Sequence, residues 1–343
     1  GSSAYTATGA THSIACGRLS YCLGLHGPCL AFDAACASAA AACHSASSSA
    51  RLGECDTALA AGVNLLLLPG STSAMAVSGL LSTLGRCRVF DASADGQARS
   101  EACAAVVLRP RLDGQQGAAP RLLGGAVVQE GQRASLFAAN GQAQRLMLSS
   151  ALARAGANAA DLVWVECAAL ANPWGDSIEL GALTAGLTSS AVVAAGNVKG
   201  SSAHTELPSG LVALLMLQLK LQCRSSTPNA QLRVTNPHAV STLRAGTCRL
   251  HVQAAALASA SCAHATGMSS SFGFNGTLVN LVLRGEHARE GREASEAPAP
   301  TFQRRRLLEE SRQPAPVRSM PSGSSLGAKG SSVAAAVAVA PAL

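Results

Sequence analysis

The residues with the clearest capacity for chemistry lie in the stretch Gly27-Pro28-Cys29-Leu30-Ala31-Phe32-Asp33-Ala34-Ala35-Cys36-Ala37-Ser38-Ala39. The apolar run Cys29 to Phe32 reads as a buried strand and the small residues after it as a tight turn. The Ala- and Ser-rich segment from about residue 37 to Arg51 reads as a helix. A cysteine at such a turn meets the unpaired N–H groups and positive dipole end of the helix behind it, which favour thiolate. Small neighbours leave the sulfur of Cys36 open to a bulky acyl donor. A thiol so placed is either a nucleophile for acyl transfer or a small hydrophobe packed into the turn; this stretch alone leaves both open.

Elements on either side must position that turn. Ala58 to Leu68 reads as strand and turn closed by Pro69-Gly70, and Ala105 to Leu108 and Leu162 to Ala168 read as further strands. Helices are expected over about Gly141 to Ala155, from near Asp176, and from Thr205 to Cys223. Strands alternating with helices point to an α/β domain whose helices cover a sheet. After Leu283 the chain turns to Pro, Ser, Gly, Ala and mixed charge without sustained periodicity, so 285–343 reads as a disordered tail or linker.

Composition removes several classes of function. The chain has 343 residues, 48% hydrophobic but only 3% aromatic, so it can bury a sizeable core built from small side chains. The apolar run Leu211 to Leu221 holds Gln218 and Lys220 and is shorter than the ~20 residues of a membrane span. The net charge of +7 is dispersed; its only run, Arg304-Arg305-Arg306, is followed by Glu309-Glu310, and few aromatics are present to stack on bases. No nucleic-acid partner is expected. Twelve cysteines without a CxxC pair or zinc spacing, several of them in apolar or Ala-rich stretches, read as reduced thiols in an intracellular compartment, with no bound metal. Asp91 and Asp95-Gly96 read as a turn rather than a calcium loop. The chain opens at Gly1-Ser2-Ser3 rather than Met, so a processed product or excised fragment is expected, from which a targeting segment would be lost.

The stretch around Cys36 resembles the active-site loop of β-ketoacyl synthases, the ketosynthase domains of polyketide and fatty-acid synthases. The resemblance continues upstream in Gly17-Arg18-Leu19-Ser20-Tyr21 and Gly24-Leu25-His26-Gly27-Pro28. Downstream it runs through Gly53 to Asn64, Arg86 to Gly96, Gly175-Asp176-Ser177-Ile178-Glu179, and Val198-Lys199 with Ala203-His204-Thr205-Glu206. It ends with Asn236-Pro237-His238 and Ser271 to Thr277. These blocks stand in family order over about 285 residues and look most like the multidomain type I enzymes. The resemblance implies a thiolase-like layered α-β-α-β-α fold of two related halves: 1–114 as the later part of the first half, and 115–284 as the second. Roughly the first quarter of such a fold would precede Gly1, leaving the first half incomplete, with open sheet edge unless another chain supplies strands.

By the same resemblance Cys36 takes an acyl chain from the phosphopantetheine arm of an acyl carrier protein, for Claisen condensation with a malonyl-type extender. His204 is then one of two histidines that stabilise the enolate, and Lys199 helps hold the charge network. Asp176 and Glu179, spaced i,i+3 at a helix start, pair with such cations. Phe274 gates the acyl pocket. No resident cofactor is implied; a homodimer and further synthase domains in cis or trans are.

One position departs sharply. In Val165-Glu166-Cys167-Ala168-Ala169-Leu170-Ala171-Asn172, Ala168 stands at the family's other histidine. Leu170 and Asn172 replace threonines, and Ala169 and Ala171 replace glycines. Removing one oxyanion donor typically costs ~10²–10³ in rate. Three readings follow: a working ketosynthase, a non-elongating acyltransferase that needs only the nucleophile, and a non-catalytic scaffold or decayed copy.

Overall fold

The structure is a computed structural model that describes Ser3, residues 5–111, 120–135, 137–187, 192–244, 246–257, 264–286 and 333–339. In chain order the first part contains helices α1 (Thr6–Ala10) and α2 (His12–Leu23), strand β1 (Cys29–Phe32), α3 (Ser38–Arg51), β2 (Thr57–Asn64), α4 (Pro69–Val77) and β3 (Ala102–Leu108). The next part runs β4 (Arg121–Gln129), α5 (Gly141–Ala155), β5 (Leu162–Glu166), α6 (Pro173–Gly186), β6 (Val193–Gly196), α7 (Lys199–Ser202) and α8 (Ser209–Cys223). Then come β7 (Ser225–Ser226), α9 (Pro237–Arg244), β8 (Cys248–Leu250), β9 (Ala255–Ala256), β10 (His264–Phe272), β11 (Thr277–Glu286) and β12 (Val333–Val339).

Among the described residues the strands form a four-stranded sheet, β1-β12-β2-β3, a six-stranded sheet, β4-β11-β10-β5-β6-β8, and the short pair β7-β9. Helices α3 and α8 lie between the two large sheets, α2 covers the outer side of the first, and α5 and α6 cover the second. Helix therefore alternates with sheet through the molecule, as an α/β chain must arrange itself to bury both faces of each sheet.

The central layer explains the composition. Helix α3 has neither Gly nor Pro, and its Ala39, Ala40, Ala42 and Cys43 are buried. A Cβ added at Gly210 would come within 2.6 Å of the Ala40 Cβ, so α3 and α8 approach closely only because both present small residues. The core around them adds Trp164, Leu211, Leu214 and Leu217. Buried within it, Lys220 lies 2.5 Å from Glu166 and its Nζ 4.1 Å from the centre of the Trp164 ring. That explains the lysine in an otherwise apolar run.

Several boundaries differ from the sequence reading. Pro69 opens α4 rather than closing a turn, because its missing N–H costs nothing in a first turn. Helix α8 starts at Ser209 rather than Thr205, since Pro208 disfavours helical backbone before it and Glu206 has φ 59°. The segment 285–343 is a linker in the sequence reading, yet β11 continues to Glu286 and Val333–Val339 is a strand between β1 and β2. Periodicity reads local segments and cannot see a distant pairing edge. The rest of that segment, 287–332 and 340–343, lies outside the described residues. Among the described residues the cysteines are free, and no helix is long and apolar enough to cross a membrane.

Candidate active site

Strand β1 ends at Phe32, and the chain then turns tightly through Ala35, which adopts φ 50°, into a short 3₁₀ turn, Ala35–Ala37, that runs into α3. Ser38 fastens this turn: the Ala34 N–H donates to its Oγ at 2.8 Å, and its hydroxyl donates to the Ala35 carbonyl at 2.6 Å. The Ser209 and Ser271 hydroxyls, from α8 and β10, donate to the Cys36 carbonyl at 3.1 and 2.8 Å. Three elements thus fix the Cys36 backbone.

Burial acts on the Cys36 sulfur against the helix-dipole expectation. Burial pushes its thiol up to about 11, and the nearby Lys199 charge offsets only part of that. The N–H groups of Ala37 and Ala39 are already taken by the carbonyls of Ala34 and Leu207. Desolvation is the largest influence on the sulfur and favours the thiol form.

His204 Nε2 stands 3.1 Å from Cys36 Sγ. The histidine is fully buried; burial first, then the charges of Lys199 and Arg99, hold it well below its usual range, so the imidazole is neutral. Its Nδ1 has no partner among the described residues. The backbone holds it in place: its N–H donates to the Ala98 carbonyl at 2.7 Å, and the Ser100 N–H donates to its carbonyl at 2.9 Å. On either side Arg99 and Glu206 form a two-pronged ion pair, with Nη2 to Oε2 at 3.1 Å, both side chains only 7% exposed. Arg99 also donates to Ser71 Oγ and Thr72 Oγ1 at 3.1 and 2.7 Å. Sequence reading missed Arg99; the family-like block holding Glu206 was the only trace of the pair.

The remaining polar residues organise the loop after β5. Glu179 accepts from the N–H groups of Ala168 and Ala169 at 2.7 and 2.8 Å. Asp176 accepts from the N–H groups of Leu170 and Phe90 at 2.9 and 3.0 Å. Lys199 Nζ donates to the carbonyls of Ala168 and Ala169, and Asn197 Nδ2 to those of Cys167 and Ala168. The groups that hydrogen-bond to Asp176 and Glu179 are backbone N–H donors, because the loop folds over the first turns of α6, and the charge of Lys199 also acts on both carboxylates. Burial pushes Asp176 up to about 6 and Glu179 up to about 7 despite those donors.

Asn172 gains a role that counting it as a lost threonine concealed. Its Oδ1 accepts from the N–H groups of Trp174 and Gly175 at 3.1 and 2.9 Å, capping α6 with Pro173 in the first turn. Asn-Pro ahead of a helix is a local signal for this cap. Ala168, 1% exposed, presents a methyl group and no side-chain donor.

Phe274 stands 48% exposed, its ring centre 6.1 Å from that of Phe137. Its loop adjoins the nucleophile turn, for a Cβ at Gly273 would collide with the Ala34 carbonyl oxygen. Asp95 accepts from the nearby Ser82 hydroxyl and Thr83 N–H, while the buried Asp91 accepts from Ser93 N–H beside it and from the N–H groups of Arg233 and Val234 far along the chain. Among the described residues no cluster of three or more His, Cys, Asp or Glu could hold a metal ion.

Comparison with known proteins agrees with this arrangement. Residues 1–114 match the family model "Beta-ketoacyl synthase, N-terminal domain" and residues 120–233 match "Beta-ketoacyl synthase, C-terminal domain". The chain is 36% identical over 287 residues to a phenolphthiocerol/phthiocerol polyketide synthase of Mycobacterium tuberculosis, covering 82% of this chain and 13% of that protein. It is 32% identical to the non-reducing polyketide synthase mapC of Penicillium roqueforti, covering 82% of this chain and 12% of that one. Among solved structures, the oxazolomycin ketosynthase domain OzmH KS7 of Streptomyces albus superposes with a TM-score of 0.75 at 29% identity. The match covers 80% of this chain and 50% of that one. The ketosynthase from module 6 of the Bacillus subtilis bacillaene synthase gives 0.76 at 26%, covering 81% and 50%. The chain thus spans about half of the solved ketosynthases and about an eighth of these two polyketide synthases. With the alternating layers, the fold is thiolase-like, and the chain belongs to the β-ketoacyl synthase family.

Proposed function

We propose that this chain is a ketosynthase-type acyltransferase that loads an acyl group from a carrier-protein phosphopantetheine thioester onto Cys36 and is impaired in chain extension. The contact of His204 Nε2 with Cys36 Sγ carries the reading. Neutral His204 takes the thiol proton as sulfur attacks the thioester carbonyl. The new bond joins Cys36 Sγ to the acyl carbon, the pantetheine sulfur leaves, and the proton on His204 passes to it. Lys199, Asp176 and Glu179 hold the loop after β5 that carries Ala168, and the exposed Phe274 is assigned the gate to the acyl pocket. Extension needs a donor for the enolate oxygen, and Ala168 supports the view that this donor is lacking.

Residues 1–114 are assigned to the nucleophile-bearing half and 115–284 to the second. The partners are an acyl carrier protein, a second copy of the chain and other synthase domains. Ala168 favours the alternative, a non-catalytic pseudo-ketosynthase acting as scaffold or decayed copy. Intact-mass analysis after incubation with an acyl thioester separates the two. The wild-type chain is expected to gain one acyl mass and Cys36→Ala none, with little carbon dioxide released from malonyl carrier protein. A folded wild-type chain that gains no adduct leaves the scaffold.

A further inference from the structure

Helix α3 breaks its run of alanines with a polar stripe toward its far end. His44, Ser47, Ser48 and Arg51 recur at three- and four-residue spacing, so they share one face of the helix. Together with Gly125 of β4 and Arg154 of α5 they line a cavity of about 280 Å³. The length of α3, about 20 Å, separates its Arg51 end from Cys36. We propose that this cavity is a binding site for a phosphate group, with Arg154 and Arg51 supplying charge and His44 and Ser47 supplying further hydrogen-bond donors.

The charge that gathers here is of one sign. Among the described residues no Asp or Glu lines the cavity. Burial first, then the charges of Arg154 and Arg51, hold the His44 imidazole below its usual range, so both guanidinium groups lie close enough to act on the ring. An adjoining cleft shares Ser47 and Arg51 and adds Arg109, Arg111 and Arg121, again with no carboxylate among the described residues that line it. A cleft lined by one sign of charge between low-dielectric walls focuses the field and concentrates the counter-ion.

Helix ends account for only part of this. Arg51 and Arg154 stand in the last turns of α3 and α5, where a cation complements the helix dipole. Arg51 meets that demand through Nη2, which donates to the Leu122 and Leu123 carbonyls and leaves its other nitrogens for a ligand. Arg154 makes no hydrogen bond or ion pair among the described residues. Nor does the dipole call for a histidine between the two arginines. Glycine in β4 makes room for that ring: a Cβ at Gly125 would stand 3.3 Å from His44 Cδ2. Guanidinium forks match the oxygens of phosphate, and a bound dianion would offset the repulsion between them.

Titration calorimetry on the full chain, with inorganic phosphate set against chloride at matched ionic strength, tests this apart from acyl transfer. Saturable binding of one phosphate per chain is expected. Arg154→Gln is expected to weaken it by roughly ten- to a hundredfold, the effect of losing a charged hydrogen bond. Arg145→Gln removes a charge elsewhere on α5 and is expected to leave binding unchanged. Glycerol 3-phosphate distinguishes two sources of the group: binding at least as tight as that of phosphate assigns the site to a phosphate ester, and weaker binding to the free ion. Absence of saturation with both probes would overturn the proposal. So would an Arg154→Gln chain that loses no more affinity than Arg145→Gln, since binding would then be a general attraction to a basic surface.

Discussion

His204 Nε2 lies 3.1 Å from Cys36 Sγ across 168 residues of sequence, joining a thiol held protonated to an imidazole held neutral. In the proposed acyl transfer the histidine of that pair accepts the proton that leaves sulfur. His204→Ala is expected to slow acylation of Cys36 by ~10²–10⁴. The variant's rate should then climb about tenfold per pH unit toward the thiol value of about 11, as the thiolate itself becomes the reactant. Stopped-flow acylation over pH 7–9 measures this; equal rates in both proteins would remove His204 from the chemistry.

Ala168 makes its bonds to Glu179 and Lys199 through its backbone, so a new side chain leaves them in place. Ala168→His is expected to raise carbon dioxide release from malonyl carrier protein by ~10²–10³. No gain in a folded variant would place the defect elsewhere in the site.

Arg99 and Glu206 clamp the backbone on either side of His204. Breaking a buried pair from one side leaves an uncompensated charge, so Arg99→Met is expected to destabilise by about 3–5 kcal/mol in urea unfolding. The paired change Arg99→Met with Glu206→Gln should recover much of that stability. Additive losses would mean that the two side chains do not act as a pair.

Ala203, immediately before His204, has φ 59° and ψ −176°, backbone that is essentially reserved for glycine and costs on the order of 1–3 kcal/mol elsewhere. Ala203→Gly is expected to stabilise the chain by about 1 kcal/mol after the added unfolded-state entropy of glycine. A lower unfolding midpoint would contradict this.

Burial raises Glu179 to about 7 from an ordinary 4.5, so between those values the folded chain holds a proton that the unfolded chain has lost. Its contribution to stability is therefore full below pH 4.5 and declines as pH rises through 7. Glutamine does not titrate, so the stability of wild type relative to Glu179→Gln should fall from pH 4.5 to 7. A difference that grows over that range would refute the assignment.

Strand, turn and helix around Cys36 were legible because each rests on local preference: a short apolar run, small turn residues, and an Ala-rich segment free of Gly and Pro. The motif blocks that bring Lys199, His204, Asp176 and Glu179 into one site were legible through their order along the chain. The cap at Asn172 was open to the same local reasoning. The bonding partners of Asp176 and Glu179 were not, since spacing on a helix says which residues share a face and nothing of the loop that folds over it.

By itself, then, the sequence determined the family, the layered class of fold and the absence of an imidazole at position 168. Tertiary structure alone decided that burial pushes the Cys36 thiol up, because desolvation depends on what packs around a group. It also decided that Arg99 meets Glu206 and that Val333–Val339 lies between β1 and β2. Pairings over such separations are set by which edges and charges the fold leaves facing one another, and no window along the chain contains that information.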